Sequence, residues 1–122
     1  MIQVKRVYDP QGCHDGKRFL VERLWPRGIK KESMVMDGWL KNAAPSHELR
    51  RWFGHDPAKW IEFTHRYIAE LEKTPAALAP LMEAAQQGPV TLLYSSHDQE
   101  HNSSLVLMSY LKERINSHKT SL

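Results

Sequence analysis

At 122 residues, with 41% hydrophobic and 25% charged residues, the chain is long enough for one domain with its own core and is neither disordered nor fibrous in composition. No run approaches the ~20 apolar residues of a membrane span, and MIQVKRVYDP lacks the apolar core of a signal peptide, so the expected compartment is the cytoplasm, with no membrane partner. The net charge of +3 is uneven: residues 1–60 carry 12 Lys/Arg against 7 Asp/Glu, a +5 that can attract phosphate-bearing partners but is too small to diagnose nucleic-acid binding, and the single cysteine, Cys13, excludes an internal disulfide and a multi-cysteine metal site.

Ile2–Tyr8 alternates apolar and polar residues and predicts a strand, broken by Asp9-Pro10-Gln11-Gly12. Arg18–Trp25 (RFLVERLW) is rich in β-formers and predicts a second strand ending at Pro26. Lys30–Glu32 is a charge run suited to a solvated loop or short helix, and Met36–Leu40 suits a short third strand. Ser46 can cap a short helix through Phe53, which Gly54 ends. Asp56-Pro57 starts another, with Trp60, Phe63, Tyr67 and Leu71 at spacings of three and four. Thr74-Pro75 repeats the start signal, and Gly88-Pro89 stops that helix. Val90–Tyr94 (VTLLY) is a short continuous apolar run, as expected of a strand covered on both faces. A last helix carries Leu105, Met108, Leu111 and Ile115, and residues 116–122 read as a frayed tail.

Strands separated by helices predict an α/β fold: a single layered domain over residues 1–122, with a small, mainly parallel sheet flanked by helices. In such sheets ligands gather beyond the C-terminal ends of the strands. The loops after Tyr8, Trp25 and Tyr94 are therefore expected to converge there.

The loop after Tyr94 reads YSSHDQEHNSSL. His97 to His101 matches H-x-x-E-H, a pattern found in zinc peptidases. The two histidines straddle a strand-to-helix junction, however, so the shared helix face that zinc ligands need is not assured. No metal and no cofactor is expected; Gly12, Gly16 and Gly28 form no phosphate-binding fingerprint. Asp98 can cap the helix, as can Asn102 or Ser103 if it starts later. Capping alone does not account for so many hydrogen-bonding side chains in succession.

In RFLVERLWPRG, the residues Arg23, Trp25 and Arg27 alternate, so a strand running to its end would turn all three to one side. Arginine forks suit carboxylate or phosphate, and tryptophan offers a flat face to a ring. Equally, Trp25 can belong to the core and the arginines can pair with Glu22 or Asp9. Arg50 can bind an anion or lie on a solvated helix face. His55 can act in chemistry or be a solvated loop histidine.

The segments RVYDP, DGKRFLVERLWPRGIKKE, WLKNAAPSHELRRWFGHDPAKWIEF and GPVTLLYSSHDQEHNSSLVL resemble the YeaO-like branch of the domain of unknown function 488 family from about Val4 to Leu111. The ordered combination LWPRG, WFGHDP, DxEHN carries the resemblance. By resemblance the family motifs are matched at Arg6, Asp9, Arg23, Trp25, Arg27, Trp39, Ser46, Arg50, Trp52, Phe53, His55, Asp56, Trp60, Tyr94, Asp98, Glu100, His101 and Asn102; the site is expected among Arg6, Arg23, Trp25, Arg27, Arg50, His55, Tyr94, Asp98, Glu100, His101 and Asn102, and no established activity is implied. His97 lies outside the motif. Longer relatives of the wider family carry cysteine where Tyr94 and Asn102 stand here, so a thiol mechanism does not transfer.

Two functional classes follow. One is a small enzyme or ligand-binding domain for an anionic molecule, nucleotide-like or derived from nucleic acid. In it, Arg23 and Arg27 hold the anion, Asp98 and His101 serve as acid and base, and Tyr94 and Asn102 orient the substrate. The other is a non-catalytic module that binds nucleic acid or protein through the basic N-terminal half. The sequence does not choose between them, and it does not specify an oligomeric state.

Overall fold

The computed structural model describes residues 1–120, with side chains through residue 117. Four parallel strands, β1 (Ile2–Arg6), β2 (Lys17–Leu20), β3 (Gly38–Trp39) and β4 (Val90–Tyr94), form a sheet in the order β1-β4-β2-β3. The helices are α1 (His47–Phe53), α2 (Trp60–Lys73), α3 (Pro75–Gln87) and α4 (Ser103–Thr120). Short 3-10 turns cover Lys31–Ser33, Lys41–Ala43 and Pro57–Lys59. The α/β class and parallel sheet match the sequence expectation. No helix among the described residues is long and apolar enough to cross a membrane.

All five residues of β4 are buried, because it lies centrally between β1 and β2. One face of the sheet, with Ile2, Phe19, Val21, Val90 and Leu92, packs against residues from all four helices. The opposite face is covered without a helix. Val7, Leu20 and Leu93 form a smaller core there under Trp25, Ile29, Met34 and Met36, from the segment between β2 and β3, and Trp39 of β3 itself.

Helix boundaries follow local chemistry. Ser46 Oγ accepts the Leu49 amide at the start of α1, and its hydroxyl and amide both donate to the Glu70 carboxylate. Gly54 closes α1 in the left-handed conformation. Asp56 caps the Pro57–Lys59 turn, which leads directly into α2. Asn102 Oδ1 accepts the Leu105 amide, which places the cap of α4 at Asn102, one of the two later positions the sequence allows. That helix continues to Thr120, past the Asn116 at which fraying was expected; residues 121–122 of that expected tail lie outside the described residues.

The second strand departs from its expected length. β2 ends at Leu20, although the Val21 amide still donates to the Leu93 carbonyl. From Glu22 the chain leaves the sheet, and Trp25 folds back over its second face. There the Trp25 Nε1 donates to the Ile29 carbonyl at 2.6 Å, and its ring makes a T-shaped contact with Trp39. Arg23, Trp25 and Arg27 therefore do not line one strand face.

The β1–β2 connection is held by Asp15, whose side chain is buried against Arg18, Lys5 and the Gly12 amide. Burial pushes its carboxyl pKa up, but the Gly12 amide and the two cations outweigh this and leave it below its ordinary value of 3.8. Because folding lowers this pKa, the resulting stability is present above the ordinary value and is lost as pH falls through the folded one. Urea titrations are expected to show wild-type stability dropping as the pH is lowered from about 4 to about 2. Asp15→Asn should be less stable at pH 7 and flatter over that range. Parallel pH profiles for the two proteins would count against this role.

Candidate functional site

A cleft of about 500 Å³ opens at the C-terminal ends of β2 and β4. One set of lining residues comes from the chain leaving β2 (Glu22, Arg23), from Ala44 and Pro45, and from α1 and its end (Arg50, Phe53, His55). Phe63 of α2 adds to the apolar part. The other set comes from Tyr94 and the loop into α4, including Ser96, Asp98, His101 and Ser103. The cleft thus gathers six residues predicted for ligand contact or acid-base roles: Arg23, Arg50, His55, Tyr94, Asp98 and His101. Asn102 also lines it, but as the helix cap.

The two arginines are open. Arg23 spends its Nε on the Pro45 carbonyl at 3.0 Å. Among the described residues, neither Arg23 nor Arg50 forms an ion pair. The expected alternative, pairing with Glu22 or Asp9, does not occur. The Glu22 carboxylate instead accepts the amide and hydroxyl of Ser95, tying the end of β2 to the end of β4. Asp9 accepts the Arg6 amide.

Asp98 and His101 are joined, with His101 Nδ1 3.0 Å from an Asp98 oxygen. The Glu100 amide lowers the Asp98 pKa, against the effect of burial and with help from the ring and amide of His101. An ionised carboxylate only accepts, so Nδ1 carries the hydrogen and Nε2 of the neutral ring remains an acceptor. The His101 ring also packs against Trp60 in a T-shaped contact, 5.4 Å between centroids, which restrains its orientation. Tyr94 is 5% exposed, and its hydroxyl has no hydrogen-bond partner among the described residues. Burial, then Asp9 and Asp98, raise its pKa against the influence of Arg6, so the phenol stays a donor. His55 is the single non-glycine residue with positive φ (57°) among those described, at the end of α1 where the cleft begins. Such strained backbone gathers at functional sites.

Five predicted residues fall into other roles. Arg27 is exposed and off the cleft, and its carbonyl accepts the Tyr8 hydroxyl. Trp25 belongs to the smaller core. Arg6 braces the loop after β4, donating to the carbonyls of Ser95 and Ser96. The exposed Glu100 does not line the cleft and contributes its amide to Asp98. Asn102 has its amide group committed to the Asp98 carbonyl and its oxygen to Ser104 and Leu105. These bonds order the loop into α4.

His97 contacts Arg6 whereas His101 contacts Asp98, and among the described residues no three His, Cys, Asp or Glu side chains gather as a metal site would need. Glu22, Ser95, Ser96 and Phe63 line the site with no signal in the sequence that marks them for it. Position at a strand end could have flagged Glu22, but its bond to Ser95 spans 73 residues and leaves no local signature.

Glu22→Ala should cost about 1–3 kcal/mol, because it strands the Ser95 amide. Hydrogen exchange at Ser95 and Ser96 should accelerate more than elsewhere in the cleft. A variant with unchanged stability and protection would refute the role of Glu22 as the tie between the two strand ends.

A family model described as "Inactive DUF488-N3 subclade" matches residues 1–121. The chain is 44% identical to the uncharacterized protein YeaO of Escherichia coli over 111 residues, covering 91% of this chain and 96% of that protein. It is 38% identical to the uncharacterized protein Rv3073c of Mycobacterium tuberculosis over 113 residues, covering 93% and 95%. No solved structure matches it significantly.

Proposed function

This chain belongs to the DUF488-N3 subclade described as inactive, and we propose that its cleft binds a small anionic molecule rather than transforming one. The observation that carries this reading is the pair of arginines, Arg23 and Arg50, on one cleft without an ion-pair partner among the described residues. Arginine left unpaired beside an apolar floor is poised for a carboxylate or phosphate, whose hydrogen bonds to guanidinium are charge-assisted. Phe53, Phe63 and Pro45 supply that floor, and the volume suits a small metabolite.

The Asp98–His101 pair is the observation that favours a catalytic reading, with His101 as acid or base. The description of the subclade as inactive supports binding instead. In the binding reading Nε2 of His101 accepts a hydrogen bond from the ligand, and Asp98 holds the ring.

A thermal-shift screen at low ionic strength against phosphate, sulfate, sugar phosphates and nucleotides tests the proposal. A ligand at a hundredfold excess over its dissociation constant adds about 2.7 kcal/mol of stability. At least one anion is expected to raise the melting temperature of the wild type, and Arg23→Gln or Arg50→Gln should abolish the shift. A flat screen would reject it.

The nucleic-acid reading has its own support in the exposed Arg27, Lys30 and Lys31, and in Lys31 and Lys41 lying over the contacting rings of Trp25 and Trp39. Binding to DNA or RNA that weakens steeply with salt, and that survives loss of Arg23 and Arg50, would favour it over the cleft.

A further inference from the structure

We infer that the cleft selects molecules with one phosphate group on a neutral, hydroxyl-bearing body, and discriminates against a second phosphate. This rests on the anion-binding reading above. The charges lining the cleft carry it: Arg23 and Arg50 against Glu22 and Asp98.

These four groups are not equivalent. Both arginines lack an ion-pair partner among the described residues, and Arg23 uses only its Nε. Both carboxylates are fixed in place. Glu22 is held by the amide and hydroxyl of Ser95, and Asp98 by the amides of Glu100 and His101 and by the His101 ring. A first phosphate dianion can therefore use both guanidinium forks. A second finds no further Lys or Arg on the cleft, only two carboxylates that cannot swing away. Like charges confined in a partly desolvated cleft repel far more than they do in water.

The rest of the lining mixes donors with acceptors, which suits hydroxyl groups because a hydroxyl is both. The Tyr94 hydroxyl donates and has no partner among the described residues. Asp98 and Nε2 of His101 accept, and Ser96 and Ser103 can do either. The apolar floor of Phe53, Phe63 and Pro45 suits the C–H face of a sugar ring. A volume of about 500 Å³ takes a sugar phosphate or a nucleoside monophosphate.

The test is calorimetric titration of the full chain at pH 8. The probes are inorganic phosphate, ribose 5-phosphate, AMP, ribose 1,5-bisphosphate and ADP. Ribose 5-phosphate and AMP are expected to bind more tightly than inorganic phosphate. The bisphosphate and ADP should bind at least about tenfold more weakly than their monophosphate counterparts, a gap of about 1.4 kcal/mol. Asp98→Asn, which keeps an oxygen for the backbone amides, should narrow that gap, as should Glu22→Gln. Equal or tighter binding of the bisphosphate and ADP would overturn the selectivity while leaving anion binding intact. Failure of every phosphate to bind would overturn both.

Discussion

Replacing Gly16 by alanine is expected to destabilise the fold by about 3–5 kcal/mol, at the upper end of single-substitution effects. Gly16 has φ +64°, and a Cβ there would lie 2.1 Å from the Pro89 carbonyl oxygen. The left-handed conformation alone costs a residue with a side chain about 1–2 kcal/mol. The overlap adds more, because the atom it meets is backbone with no rotamer to yield. The same carbonyl accepts the Lys17 amide at 3.1 Å, the first bond that sets β2 beside β4 in the register Lys17↔Val90 to Leu20↔Leu93. That register places Glu22 next to Ser95, so relief of the clash would also shift the cleft. A melting temperature lower by at least about 10 °C is expected. A variant within about 2 °C of wild type would show that this turn is not under the stated constraint.

Leu107→Ala is the second large effect. Leu107 is fully buried in the main core, on the helix that packs against both β1 and β4. Truncation removes buried apolar surface and leaves a cavity that a close-packed interior fills only partly, at about 2–5 kcal/mol. Chemical denaturation should show a lower midpoint with an unchanged slope. The neighbouring Ser109, exposed on the same helix, serves as the contrast: Ser109→Ala should change stability by less than about 0.5 kcal/mol. Similar effects at the two positions would contradict the packing of α4 described here.

The elements legible in the sequence are those whose signals are local. Ser46, Asp56-Pro57 and Gly54 act through bonds within four residues, and the structure places helix or turn boundaries at each. The run VTLLY needed burial on both faces and has it. What was not legible depends on distant partners. RFLVERLW reads as one strand because apolar residues that cover a sheet face and those that line it look alike in sequence. Only the distant partners, Ser95 for Glu22 and Trp39 for Trp25, end the strand at Leu20. For the same reason Arg27 was grouped with Arg23. Arg23 lines the cleft because the chain turns at Glu22, and that turn carries Arg27 away to the surface.

The loop after β4 shows both outcomes. His97 and His101 match a five-residue metal pattern, yet each contacts a different side chain. Asp98, His101 and Asn102 act together, with one pair facing the cleft and one residue capping α4.

Calorimetric titration of inorganic phosphate and ribose 5-phosphate into the wild type and into an Arg23→Gln, Arg50→Gln double variant, both shown to be folded by circular dichroism, tests the anion-binding cleft most directly. Saturable binding to the wild type is expected, with a loss of at least about hundredfold in the double variant, the equivalent of about 2.7 kcal/mol. Equal affinity in the two proteins, or no binding to the wild type, would contradict it.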